Sequence, residues 1–180
     1  MKIAADLCIY TNHNTTMEVI NAPQEATDGQ TRPILGYWDV RGKGAQCHYV
    51  LAYCGVDYEA KTYIRGPPPE FSKAPWTDVR AELNLDFPNL PYLIDGDVKL
   101  TESKSIMKYV AKKYDADLLG RNAEEIAKAD MMSRVHDSLY DRIGVHFKKG
   151  DPENFVKQID IVGQMLANYL RSEKPFVVGS

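Results

Sequence analysis

Residues 87–96 read Phe-Pro-Asn-Leu-Pro-Tyr-Leu-Ile-Asp-Gly, and this stretch decides the fold because a proline-bounded loop runs directly into a hairpin signal. Each proline fixes φ and lacks a backbone N–H, so a strand is expected to begin only after Pro91. Asp95-Gly96 is typical of the two-residue turn between antiparallel strands, and residues 98–100 supply the returning strand. The Leu90-Pro91 bond is a candidate cis peptide. Taken alone, the stretch favours an ordinary loop before a hairpin.

The segments upstream predict a strand-helix-strand unit. Residues 34–36 form a short apolar strand that ends just before Tyr37. A helix follows, with one apolar face at the i, i+3, i+4 and i+7 positions Cys47, Val50, Leu51 and Cys54. Residues 58–64 form a second strand. A unit of this length predicts two parallel strands joined by a right-handed crossover.

Downstream, residues 65–85 form a long connection with three successive prolines, and loops of this length are usually functional or disordered. The hairpin comes next, and residues 103–114 then have the apolar spacing of a helix. The order βαβ followed by ββα predicts an α/β thioredoxin-like domain over residues 33–114.

Residues 115–121 are expected to link this domain to an all-α region over residues 122–180. Asn122 and Glu125 form a capping-box variant at the start of the first helix, and Asp151-Pro152 begins the second helix. Two long amphipathic helices cannot bury both apolar faces against each other and a small sheet. We therefore expect an incomplete helical domain, either because the chain lacks the domain's end or because a partner completes it.

Composition restricts the possible functions. The chain has 180 residues and a net charge of −3, which fits one or two small domains and argues against a nucleic-acid partner. No apolar run approaches the roughly 18 residues of a membrane span. Three cysteines without CxxC spacing indicate reduced thiols. The four histidines lack the HExxH spacing of a metal site, and none is expected.

Residues 1–32 are expected to be an irregular extension. Two basic residues against four acidic ones do not fit a mitochondrial transit peptide, which is Arg-rich and acid-poor. Three interpretations remain open: a natural extension, an artefact of the gene model, and a short pairing strand at residues 17–20.

Four motifs occur in a specific order: Gly-Tyr-Trp-Asp-Val-Arg-Gly at 36–42, Pro-Glu-Phe-Ser-Lys-Ala-Pro-Trp at 69–76, Leu-Asp-Phe-Pro-Asn-Leu-Pro-Tyr-Leu-Ile-Asp-Gly at 85–96, and Thr-Glu-Ser at 101–103. This order resembles the glutathione S-transferase family, most closely its mu class. The resemblance covers residues 33–180 and is dense up to about residue 114. It implies the thioredoxin-like fold and a helical second domain, which in the family continues with several more helices.

The resemblance also implies a cytoplasmic transferase used in detoxification. Such an enzyme conjugates the glutathione thiolate to an electrophilic small molecule, and it uses glutathione as co-substrate without another cofactor. The expected assembly is a homodimer or a larger assembly, with no nucleic-acid or membrane partner. Two alternatives stay open: a non-catalytic scaffolding subunit of the same fold, and a glutathione-binding isomerase or peroxidase.

By resemblance, Tyr37 is the catalytic tyrosine, whose hydroxyl would favour the thiolate of a thiol with an ordinary pKa of about 8.5. Glu102 replaces a glutamine and would accept the γ-glutamyl ammonium, while Lys43 replaces a leucine near the thiol. Phe87 falls at a dimer contact, with local core packing as the equal alternative. The residues implied to bind glutathione are Trp38, Lys73, Trp76, Arg80, Asn89, Leu90, Pro91, Glu102 and Ser103.

Overall fold

The computed structural model describes residues 31–170, without the side chains at positions 143 and 146–149. Residues 1–30 of the predicted irregular extension, including the candidate strand at residues 17–20, therefore lie outside the described residues, as do residues 171–180.

The described elements follow the predicted order, which confirms the fold class. They are β1 (Ile34–Trp38), α1 (Gly44–Tyr53), β2 (Glu59–Tyr63), α2 (Ala74–Thr77), β3 (Tyr92–Asp95), β4 (Val98–Thr101), α3 (Ser103–Tyr114), a 3-10 helix (Ala116–Leu119), α4 (Ala123–Lys149) and α5 (Pro152–Tyr169). The short helix α2 and the 3-10 helix lie in segments that the sequence predicted to be irregular.

The four strands form one mixed sheet in the order β2-β1-β3-β4. β1 and β2 are parallel, as predicted, whereas β3 is antiparallel to both β1 and β4. The β3–β4 hairpin is present, but its turn lies one residue later than the predicted Asp95-Gly96 pair. Asp95 ends β3 and pairs with Val98, so the two turn residues are Gly96, at φ 60°, and Asp97. The prediction that Tyr37 follows β1 was wrong, because the ladder with β2 continues through Tyr37 to Trp38.

Two apolar clusters hold the sheet. In one, helices α1 and α3 cover one face of the sheet. Its fully buried residues are Leu35 and Leu93 of the strands, Cys47 and Leu51 of α1, and Ile106 and Val110 of α3. In the other, Tyr63, Trp76, Leu85 and Tyr92 pack together. Burial raises the pKa of the Cys47 thiol to about 12, so Cys47 is a core residue and not a reactive thiol.

Polar side chains begin both long helices. Asn122 Oδ1 accepts the Glu125 N–H at 3.0 Å, and Asp151 Oδ1 accepts the Asn154 N–H at 3.2 Å. The reciprocal half of the predicted capping box is absent, because Glu125 instead accepts the Arg121 N–H at 2.8 Å.

Ion pairs tie α4 to the sheet domain. Lys104 of α3 pairs with Asp137 at 2.5 Å and donates to the Ser133 carbonyl at 2.9 Å, while Lys108 pairs with Asp130 at 2.8 Å.

On α5, no residue between Pro152 and Tyr169 is fully buried. Within residues 31–170, no helix has both the length and the apolar composition that crossing a membrane requires.

Gly163 lies inside α5, and a Cβ built there meets no atom within 4 Å. Gly163→Ala is therefore expected to stabilise the fold by about 0.5–1 kcal/mol, because alanine has the higher helix propensity. Urea denaturation would measure the change. Gly150→Ala is the matched control: it also meets open space but has φ 64°, so it should destabilise. Equal effects from both substitutions would contradict this account.

Candidate functional site

The strand register brings several predicted site residues to one edge of the sheet. Gly36 and Thr101 pair with Tyr92 from its two sides. If both registers continue by one residue, Pro91 lies between Tyr37 and Glu102. The carboxyl ends of β1 and β4 and the amino end of β3 therefore meet at this edge.

The Tyr37 ring is enclosed by the loop that leads into α1. A Cβ on Gly42 would lie 2.6 Å from the Tyr37 hydroxyl oxygen, and a Cβ on Gly44 would lie 2.3 Å from Tyr37 Cδ1. Gly42 also has φ +34°, a conformation that favours glycine. Both glycines are thus required for the loop to approach the tyrosine this closely.

The Tyr37 hydroxyl has one hydrogen bond, in which it accepts the Lys43 backbone N–H at 3.1 Å. A tyrosine hydroxyl both donates and accepts, and no acceptor for the Tyr37 proton exists among the residues that the structure describes. The loop therefore orients the hydroxyl and leaves its proton available to an incoming acceptor.

Asn89 links the loop before β3 to the start of α3. Its Nδ2 donates to Glu102 Oε1 at 2.9 Å, and its Oδ1 accepts the Leu90 N–H at 2.9 Å. The Leu90 N–H is therefore bonded within the loop. Pro91 has no N–H, so the Leu90 carbonyl is the group left for a ligand. The Leu90-Pro91 bond is cis.

Glu102 and Ser103 form the start of α3. Glu102 has φ 68°, unusual for a residue other than glycine, and its carbonyl accepts the Ile106 N–H at 3.0 Å. Ser103 is 8% exposed. No side chain caps this helix, so its first N–H groups and the helix dipole can attract an anion.

The aromatic residues differ in accessibility. Trp38 is half-buried, and the Arg65 guanidinium lies 5.0 Å from its ring centroid. Trp76 is only 6% exposed, since it stacks on Tyr92 at 5.8 Å and meets Tyr63 edge-on at 5.4 Å. The predicted lining role of Trp76 is therefore restricted to a small exposed part of a core residue.

The two predicted cations lie around the short helix α2. Lys73 immediately precedes it, Arg80 follows it, and both are exposed. The sequence interpretation did not single out Arg65, which lies two residues after β2 and over the Trp38 ring.

Phe87 is 79% exposed, so the alternative of local core packing is wrong.

Two cavities lie away from Tyr37. One of about 640 Å³ adjoins β2 and the Tyr63–Tyr92 pair, and one of about 420 Å³ lies between α3 and α4. The candidate site is the surface along this sheet edge, called the groove below, and it does not coincide with either cavity.

Comparison with known proteins identifies related sequences. The glutathione S-transferase N-terminal domain family matches residues 33–112. The chain is 35% identical over 144 residues to a glutathione S-transferase of Dermatophagoides pteronyssinus, covering 74% of this chain and 66% of the relative. It is 38% identical over 151 residues to Glutathione S-transferase Mu 1 of Rattus norvegicus, covering 81% and 67%. The chain thus spans about two thirds of each relative's length.

Solved structures share the fold. A Caenorhabditis elegans glutathione S-transferase superposes with a TM-score of 0.65 at 22% identity, covering 82% of this chain and 72% of that one. The glutathione S-transferase Blo t 8 superposes with a TM-score of 0.67 at 27% identity, covering 81% and 68%.

Proposed function

The chain belongs to the glutathione S-transferase family, and we infer that its sheet-edge groove binds glutathione and directs the thiolate at an electrophilic small molecule. The observation that carries this proposal is the Tyr37 hydroxyl, fixed by the Lys43 N–H at 3.1 Å with its own proton available. A hydrogen bond donated to a sulfur stabilises the charged form and lowers the thiol pKa.

The groove offers a partner for each part of the peptide. The γ-glutamyl carboxylate suits the α3 N-terminus at Ser103, and the γ-glutamyl ammonium suits the Glu102 carboxylate. The cysteinyl N–H can donate to the Leu90 carbonyl in the manner of an added strand. Lys73 and Arg80 supply positive charge for the glycyl carboxylate, a role supported by their exposure.

In the proposed reaction, the thiolate sulfur forms a bond to the electrophilic carbon. When that carbon bears chloride, the C–Cl bond breaks and chloride leaves with the bonding pair. The thiolate must be populated before this step, because a thiol with a pKa near 8.5 is mostly protonated at neutral pH. Tyr37 is the proposed catalytic residue, and no cofactor other than glutathione is needed.

The test is a spectroscopic titration of the thiolate of glutathione bound to the whole chain. The proposal requires a thiol pKa well below that of free glutathione, together with turnover of a chloronitroaromatic electrophile. Binding with an unchanged thiol pKa, or no binding of glutathione, would contradict the proposal and favour the non-catalytic scaffolding role.

Asn89→Ala is expected to raise KM for glutathione about tenfold with a smaller change in kcat. The substitution removes the hydrogen bonds to Glu102 and Leu90, and the loss of roughly 1.4 kcal/mol corresponds to a factor of ten. Steady-state kinetics would measure it. Glu102→Gln retains an acceptor for Asn89 but removes the negative charge. It therefore separates the effect of the hydrogen bond on KM from the effect of the carboxylate charge. An unchanged KM in Asn89→Ala would contradict the proposed loop.

We further propose a cytoplasmic homodimer in which Phe87 contacts the second subunit, supported by its 79% exposure. Phe87→Ser should shift the chain towards monomer in sedimentation equilibrium, because burial of an aromatic side chain is worth several kcal/mol. Phe71→Ser is the control, as Phe71 is also exposed and carries no predicted contact. A monomeric parent chain would contradict the proposal.

A further inference from the structure

Two cations flank the glycine that touches the Tyr37 hydroxyl. Arg41 and Lys43 lie on either side of Gly42 and both are exposed. Neither forms an ion pair with a carboxylate in the part of the chain that the structure describes. Cations without counterions beside a proposed reaction centre are available to an anionic ligand.

Lys43 is the better placed of the two. Its backbone nitrogen lies 3.1 Å from the Tyr37 hydroxyl oxygen, and its Cα is only about 1.5 Å further along the chain. A flexible four-carbon stem then carries the ammonium group. Residues 42–44 approach Tyr37, and two of the three are glycines without side chains. Lys43 is therefore the residue of this stretch that can project over the groove.

Other charged groups lie near this loop. Asp39 lies in the same loop and is exposed. From α4, His136 approaches Gln46 at 3.4 Å, and its neighbour Asp137 is paired with Lys104. Glu102 is bonded to Asn89. Arg41 and Lys43 against Asp39 leave one net positive charge in the loop.

We propose that the electrophile carries a carboxylate, which binds the Lys43 ammonium group while the reacting carbon lies over the glutathione sulfur. This inference rests on the proposed transferase function and names the substrate class of the same site. An ammonium–carboxylate contact at an exposed edge is screened by salt, so the preference for acids falls as ionic strength rises.

The test measures kcat/KM for 4-chloro-3-nitrobenzoate and for its methyl ester. Each value is divided by the rate constant of the same electrophile's uncatalysed reaction with glutathione, and the acid-to-ester ratio of the two quotients is the measure of preference. In both reactions the C–S bond forms and chloride leaves with its electron pair. The parent chain should prefer the acid about tenfold at low salt, the factor expected from roughly 1.4 kcal/mol. Lys43→Met should reduce this ratio to about one, and Lys43→Arg should restore most of it.

Lys61→Met is the matched control, since Lys61 is an exposed lysine of β2 and should leave the ratio unchanged. An equal preference for acid and ester in the parent chain would overturn the proposal. So would a Lys43→Met variant that slows both substrates with the ratio intact, because the cation would then act on the thiolate. If neither substrate reacts, the transferase function itself fails and the carboxylate preference fails with it.

Discussion

Tyr37→Phe is expected to raise the thiol pKa of bound glutathione by one to two units and to lower kcat/KM at neutral pH about ten- to a hundredfold. The substitution removes the hydroxyl that the Lys43 N–H orients at 3.1 Å. A hydrogen bond to a charged group contributes roughly 1.5–3 kcal/mol, and one pKa unit corresponds to about 1.4 kcal/mol. The ring carbons that pack on Gly44 remain, so the fold should be unaffected.

The loss of activity in Tyr37→Phe is expected to depend on pH. Because the variant's bound thiol ionises at a higher pH, its deficit is largest near neutral pH and shrinks as pH rises above the new pKa. Thiolate absorbance and the pH profile of kcat/KM would both report the shift. Tyr49→Phe is the control, since Tyr49 is 65% exposed on α1. Equal thiol pKa values in the parent and Tyr37→Phe would remove Tyr37 from the mechanism.

The elements with local signals were predicted well from the sequence. The hairpin was recognised because the Asp95-Gly96 signal lies within one residue of its turn, Gly96-Asp97. The helix Ser103–Tyr114 matched to the residue. The helix α2 was missed because its four residues, Ala74–Thr77, are too few to show a period. The end of β1 was misplaced because Gly36 was taken as a break, whereas pairing with β2 continues through Tyr37 to Trp38.

The sequence nominated the candidate site residues, whose roles stay predictions, but it did not indicate their contacts. The Asn89–Glu102 hydrogen bond joins positions 13 apart, and Glu102 has a positive φ that the sequence does not signal. Trp76 shows the same limit, because its burial depends on stacking with Tyr92 across the fold. Motif order therefore identified the edge of the sheet, and tertiary packing determines which groups are free there.

Gly44→Ala is expected to lower kcat about tenfold to a hundredfold and to destabilise the fold by about 1–3 kcal/mol. The added Cβ would lie 2.3–2.9 Å from three carbons of the Tyr37 ring, which overlaps their van der Waals radii. Overpacking of this kind costs about 1–3 kcal/mol, and a shift of about 1 Å at a reacting group can cost a hundredfold in rate. Steady-state kinetics and urea denaturation would measure the two effects.

A double-mutant cycle with Tyr37→Phe separates the catalytic effect from the steric one. Phenylalanine keeps the ring carbons that the new Cβ contacts but has no hydroxyl to misplace. Gly44→Ala should therefore still destabilise the Tyr37→Phe chain, while its effect on kcat should largely disappear in that background. If the two substitutions lower kcat additively, Gly44 acts on the site by a route other than Tyr37. Gly144→Ala is the control, because a Cβ at Gly144 meets no atom within 4 Å, and it should lower neither kcat nor stability.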